Sequence, residues 1–224
     1  MNRALTSAAI ASAILIAGVT EGASAQATWD GLVEVPSKKL DVVFLQPGAD
    51  FRGYTKVMLD PTEIAFEKNW RRDYNRSASS LGGQVSERDM QDAIRDGVDA
   101  AGDIFSEAWT EGGYAVVSAP GPDVLLVRTG ILNIEVDAPD VRTSARSRTF
   151  APEAGRATFF VEVRDSMTGA LLGRAADGRT VGDNMVAMRS RVSNRADFRQ
   201  EVKRWADLSV RGMDELKALS PINQ

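Results

Sequence analysis

Between Glu67 and Val85 the chain carries Trp70-Arg71-Arg72-Asp73-Tyr74-Asn75-Arg76, in which aromatic rings alternate with cations. Trp, Tyr and Arg supply much of the binding energy at protein interfaces, and a guanidinium can also lie over a ring face. Trp70, Arg71, Arg72 and Tyr74 are therefore candidate interaction residues, with packing of Trp70 over a sheet edge as the competing role. Asn75-Arg76-Ser77 also fits the glycosylation triplet, a pattern too common by chance to carry weight.

A second group of cations comprises Arg142, Arg146, Arg148 and Arg156, followed by Arg189, Arg191, Arg195 and Arg199. Arg forks hold phosphate or carboxylate groups in bidentate fashion. Arg142, Arg146 and Arg148 are candidates for such contacts, set against an ordinary solvated surface and against pairing with carboxylates of the same or a neighbouring molecule. Those carboxylates exist: Asp92, Asp96, Asp99 and Asp103 recur at helical spacing. Like charges at i and i+4 destabilise a helix by roughly 0.2–0.5 kcal/mol per pair, a cost that a cationic partner relieves. A straight helix cannot wrap oxygen ligands around calcium as a loop does, so the stripe does not predict a metal site.

The absences are as informative. The sequence holds no histidine and no cysteine. This removes Ser-His and Cys-His nucleophile pairs, His-ligated zinc, disulfides and a lipidated N-terminal Cys. There is no Gly-rich phosphate loop, nucleophile elbow, metal-ligand spacing or nucleotide fingerprint. Carboxylate chemistry, such as glycoside hydrolysis by two Asp or Glu residues, stays open, but no pair stands out. Asp50 and Asp60 sit at turns beside Gly48 and Pro61, where Asp is favoured for backbone reasons. No catalytic, cofactor-binding or metal residues are expected, and so no cofactor. The net charge of -4 over 224 residues does not predict nucleic acid as a partner.

These side chains must be positioned by elements, and the chain begins with one that is not expected to stay. Arg3, an apolar run from Ala8 to Val19 and a small-x-small end at Ala23-Ser24-Ala25 make the three parts of a secretion signal. The run is too short to span a bilayer, which takes about 20 apolar residues. Cleavage near Ala25 would leave one mature domain, 26–224, extended to about residue 40 and then globular, periplasmic or secreted, with no transmembrane segment and no lipid anchor.

Asp41 to Gln46 reads as a strand stopped by Pro47-Gly48, and Tyr54 to Phe66 as an extended stretch bent at Asp60-Pro61. Glu67 to Val85 reads as a loop. Met90, Ile94, Val98, Ala101, Phe105 and Ala108 then recur at spacings of three and four, predicting an amphipathic helix with Ser86 as N-cap and Gly112-Gly113 as stop. Tyr114 to Ser118 is a short strand. Asp123 to Val136 is a long one in which Leu126, Arg128, Gly130, Leu132, Ile134 and Val136 share a face. Asp137 to Ala154 reads as an exposed loop. Thr158–Arg164 and Ala170–Ala176 form a hairpin, and Phe198, Val202, Trp205, Leu208, Leu216 and Leu219 mark a second helix from about Arg195 to Pro221. The expected fold is α+β, a mainly antiparallel sheet with two long amphipathic helices packed on one face.

Phe44-Leu45-Gln46-Pro47-Gly48-Ala49-Asp50-Phe51, with Tyr54, Leu59-Asp60-Pro61 and Trp70, resembles the opening block of a bacterial envelope family, domain of unknown function 3313. Gly113-Tyr114 and the Val163-Arg164-Asp165-Ser166-Met167-Thr168-Gly169 hairpin continue the resemblance over nearly all of the mature chain. It implies an exported protein of no established activity and brings no catalytic residues with it. The expected function is a non-catalytic cell-envelope protein acting through protein–protein interaction or self-association in envelope assembly or maintenance. A small-ligand or anion-binding periplasmic domain is the alternative, and a carboxylate-based cell-wall hydrolase the third reading.

Overall fold

A computed structural model describes residues 28–77, 84–136, 149–151, 155–181, 187–189 and 191–223. The segment expected to be a secretion signal and Arg142, Arg146 and Arg148 lie outside the described residues, as do the side chains of Arg189 and Arg191.

The fold is α+β. Strands β1 (Thr28–Trp29), β2 (Leu32–Glu34), β3 (Val42–Leu45), β4 (Lys56–Leu59) and β5 (Glu63–Phe66) precede helices α1 (Trp70–Ser77) and α2 (Glu87–Glu111). Then come β6 (Ala115–Val116), β7 (Val124–Val136), β8 (Thr149–Ala151), β9 (Gly155–Asp165), β10 (Leu171–Val181), β11 (Ala187–Arg189) and α3 (Arg191–Leu219). The main sheet runs β1-β2-β3-β10-β9-β7-β4-β6, with β5 also against β7. It is mostly antiparallel, while β4 and β5 lie parallel to β7 and β6 parallel to β4. The bend at Asp60-Pro61 lets the two halves of one extended stretch follow successive parts of the same edge of β7. Thr62 and Thr129 share a buried hydroxyl hydrogen bond of 2.8 Å at the join.

Alternation fixes which side chains meet the helices. Phe159, in mid-strand on β9, is fully buried and stacks on Phe105 of α2 at 5.9 Å and on Trp205 of α3 at 5.3 Å. Both long helices therefore cover one face of the sheet. Burying such an aromatic contributes on the order of 2 kcal/mol from the apolar area removed from water. Ser86 caps α2, and its hydroxyl and the Asp89 carboxylate exchange hydrogen bonds with each other's backbone N–H groups.

Three expectations are corrected. Glu67–Val85 is not all loop, since α1 occupies Trp70–Ser77. The segment 137–154, read as a loop, contains β8, which pairs with β11 in a separate two-stranded ribbon. The even-numbered residues of β7 do not form one face throughout. Leu125, Val127, Thr129 and Ile131 face the core, and a register shift between Leu132 and Glu135 then brings Ile134 onto that face. Asn133, at φ 52°, takes up the extra residue, a conformation that Asn tolerates better than most side chains.

Candidate functional site

The apolar stripe of α2 is buried unevenly. Ala101, Ile104, Phe105, Ala108 and Trp109 in its C-terminal half are buried, whereas Met90, Ile94 and Val98 are only partly covered. The neighbouring face of the helix, carrying Met90, Ala93, Gly97 and Ala100, borders a cavity. The cavity, of about 320 Å³, is bounded by α2, the Trp70 end of α1, the ends of β5, β7, β9 and β10, and the start of α3. Its lining is mostly apolar, with Ile64, Phe66, Trp70, Val85, Met90, Ile134, Val181 and Phe198 among the contributors. Such a size and lining are typical of a ligand- or side-chain-binding site.

Trp70 is held by a column of rings. It stacks on Phe66 at 5.0 Å and on Tyr74 at 5.6 Å, the latter one helical turn further along α1. Burial raises the Tyr74 hydroxyl above its ordinary pKa. The column is braced by Asn75, whose amide donates to the Val85 carbonyl at 2.8 Å and accepts from the Val85 N–H at 2.7 Å. Arg71 ties α1 to the start of α2 through Glu87 at 3.0 Å. Arg72 bonds Asp73, its neighbour in sequence, at 2.9 Å and holds that carboxyl below its usual range. Of the four candidates in this segment, Trp70 lines the cavity, Tyr74 backs it, and Arg71 and Arg72 are engaged on the outside.

The rim is charged with both signs. Arg156 meets Glu135 at 2.6 Å, Arg195 meets Asp96 at 3.5 Å, and Asp89 is occupied in the cap of α2. Exposed Arg199 has no ion-pair partner among the described residues. The carboxylate stripe is thus partly answered from within the molecule, by Arg195 across the helix pair and by Arg95, 2.7 Å from Asp92. Exposed pairs of this kind contribute little stability. Chemically, the rim holds no carboxylate free of a cap or a cation, and the cavity's main offer is apolar surface.

The residue pair nearest to an acid–base arrangement lies elsewhere. Asp177 is fully buried, accepting from Trp205 Nε1 at 3.0 Å and from Arg179 Nε at 2.6 Å. Glu201 is close enough to feel its charge, and burial, reinforced by Asp177 but opposed by Arg204 and Arg179, raises the Glu201 carboxyl above its ordinary pKa. Neither residue lines the cavity beside Trp70. Among the described residues no cluster of His, Cys, Asp and Glu is fit to hold a metal ion, and no helix is long and apolar enough to cross a membrane.

Sequence reasoning found Trp70 and the cations Arg156, Arg195 and Arg199 but not the cavity that gathers them. Its apolar wall comes from strand ends and half-covered helix positions, which look like ordinary core positions until packing shows what leaves them uncovered.

A family model described as a protein of unknown function (DUF3313) matches residues 23–209. No curated protein matches the chain. Among solved structures, the PelC dodecamer from Paraburkholderia phytofirmans is similar at 14% identity and a TM-score of 0.36, covering 75% of this chain and 96% of that one. A protein from Xanthomonas campestris is similar at 12% identity and a TM-score of 0.40, covering 79% and 87%. A minor lipoprotein from Acinetobacter baumannii is similar at 11% identity and a TM-score of 0.32, covering 70% and 91%.

Proposed function

This chain belongs to the DUF3313 family of proteins of unknown function, and we propose that it is an exported cell-envelope protein that acts without catalysis, taking apolar side chains of a partner polypeptide into the cavity beside Trp70. The observation that carries the reading is the cavity wall: Met90, Ala93, Gly97 and Ala100 of α2 opposite a braced Trp-Tyr column, ringed by charges of both signs. Apolar anchors inside a polar rim are the usual anatomy of a protein interface. The three-part leader supports the address. Capped or paired rim carboxylates favour binding over hydrolysis, and the pairing of Arg156 and Arg195 within the chain weakens the anion-site alternative.

The reading is tested by affinity purification of the tagged protein from its own cells, with quantitative mass spectrometry. W70A removes the ring. A93R, at an exposed position of the cavity wall, adds a charge there without deleting any packing. D123A changes the opposite end of β7. The expected result is one or more envelope polypeptides that fall about tenfold with W70A and with A93R and persist with D123A, a difference worth about 1.4 kcal/mol. Recovery of the bait alone, or equal recovery with all variants, contradicts it.

A further inference from the structure

A second cavity, of about 460 Å³, lies against the same sheet face but at its other end, between the β2–β3 loop, strands β3, β9 and β10, and the C-terminal half of α3. Four observations there point the same way. Leu40, Val43, Val163, Leu208 and Leu216 make its wall apolar, and Leu219, at its edge, is 67% exposed, an unusual setting for so large an apolar side chain. Trp109 also lines it, and the buried indole N–H of Trp109 has no acceptor among the described residues. Buried donors are normally satisfied, so an orphan donor in a cavity wall marks a place where an acceptor belongs. Gly212 keeps the space open in mid-helix, since a Cβ there would meet no atom within 4 Å.

The charges at the cavity are unbalanced. Lys38 and Lys39 stand at it, against Glu215 as the acidic residue in its lining; the Arg174 side chain is held on the opposite sheet face by Glu162. Lys39 pairs with Glu215. Lys38 is exposed, with no ion-pair partner among the described residues.

We infer that this cavity binds a single-chain anionic amphiphile: an alkyl chain along the apolar wall, an anionic head at Lys38, and an acceptor oxygen at the Trp109 N–H. The cavity offers room for one chain between α3 and the sheet, and the exposed Lys38 selects the sign of the head. The site is independent of the cavity beside Trp70, and shares no lining residue with it.

The test is calorimetric titration of the purified full chain with dodecanoate below its micellar concentration, against dodecyltrimethylammonium as a cation with the same alkyl chain. Saturable binding of one dodecanoate per chain is expected, with the cation at least about tenfold weaker, as loss of one charged contact implies. K38E, on an exposed side chain, should weaken dodecanoate binding about tenfold without affecting the fold. G212L replaces a poor helix former by a good one and fills the space; it should abolish binding while thermal stability is kept or raised. Equal affinity for the two amphiphiles, absence of saturable binding, or wild-type binding by both K38E and G212L would overturn the assignment.

Discussion

Glu162, which is buried, and Glu201, which is partly buried, show how the same side chain is treated in opposite ways by its surroundings. Glu162 is only 3% exposed, and its burial opposes ionisation, but hydrogen bonds from Arg164 and Arg174 outweigh that and hold its carboxyl below the usual range. Its contribution to stability is present above the ordinary Glu pKa and is lost as pH falls through the lowered value. Glu201 has the reverse sign: burial raises it, and one carboxylate oxygen is buried with no hydrogen-bond partner among the described residues. Its contribution is fully present below the ordinary value of about 4.3 and is lost as pH rises through the raised one. E201Q should therefore raise Tm at pH 7, with the gain shrinking toward pH 4; thermal melts across that range check it, and a pH-independent difference would contradict it. Asp177 anchors the same region by joining β10 to α3 through Trp205, and it also holds Arg179 of its own strand. D177A strands a guanidinium and an indole N–H, and denaturant unfolding should show a loss of about 3 kcal/mol, the low end for a broken buried pair because Arg179 is a third exposed.

At the scale of elements, what was legible in the sequence is what repeats without interruption. The α2 period of three and four, its Ser86 cap and the Asp165–Gly169 turn are all local signals. Asp165 accepts from the backbone of Met167 and Thr168, and Gly169 closes the turn at φ 70°, a conformation that costs glycine little. What was missed depends on single residues or on distant partners. The parity of β7 reverses at one residue, Asn133, and no period-2 reading can see a bulge whose cause is the pairing with β9. N133V should cost about 1–2 kcal/mol by forcing a β-branched residue into left-handed geometry, whereas N133G should be nearly neutral; the two unfolding free energies, measured side by side, check it. Helix α1 was hidden by its polarity, and the one available signal was the Trp70–Tyr74 spacing of four, which the structure shows as a stacked pair. The β8–β11 ribbon pairs residues 36 or more positions apart, and nothing local marks either strand.

Across the whole molecule, the sheet carries α2 and α3 on one face, and on the other a ladder of charge in which Arg128 and Arg174 flank Glu162 on adjacent strands. The helices do not cover their face completely, and a cavity opens toward each end of it. The two cavities described differ in character: one beside Trp70 with mixed charge at its rim, and a larger one with the exposed Lys38 and an orphan donor. The fold class was readable from the order of elements, since amphipathic helices and alternating strands must bury their apolar faces together. The cavities were not, because they arise from the offset between layers, a property of packing and of no single segment.

A protein interface beside Trp70 requires that the cavity meet a polypeptide in the cell. Site-specific photocrosslinking decides this most directly, with a photoreactive residue placed in turn at position 93 and position 199 on the cavity rim and at position 167 on the distant hairpin turn. The account predicts polypeptide adducts from both rim positions, suppressed by W70A and absent from position 167. Adducts of equal yield from position 167, or none from either rim position, would contradict it.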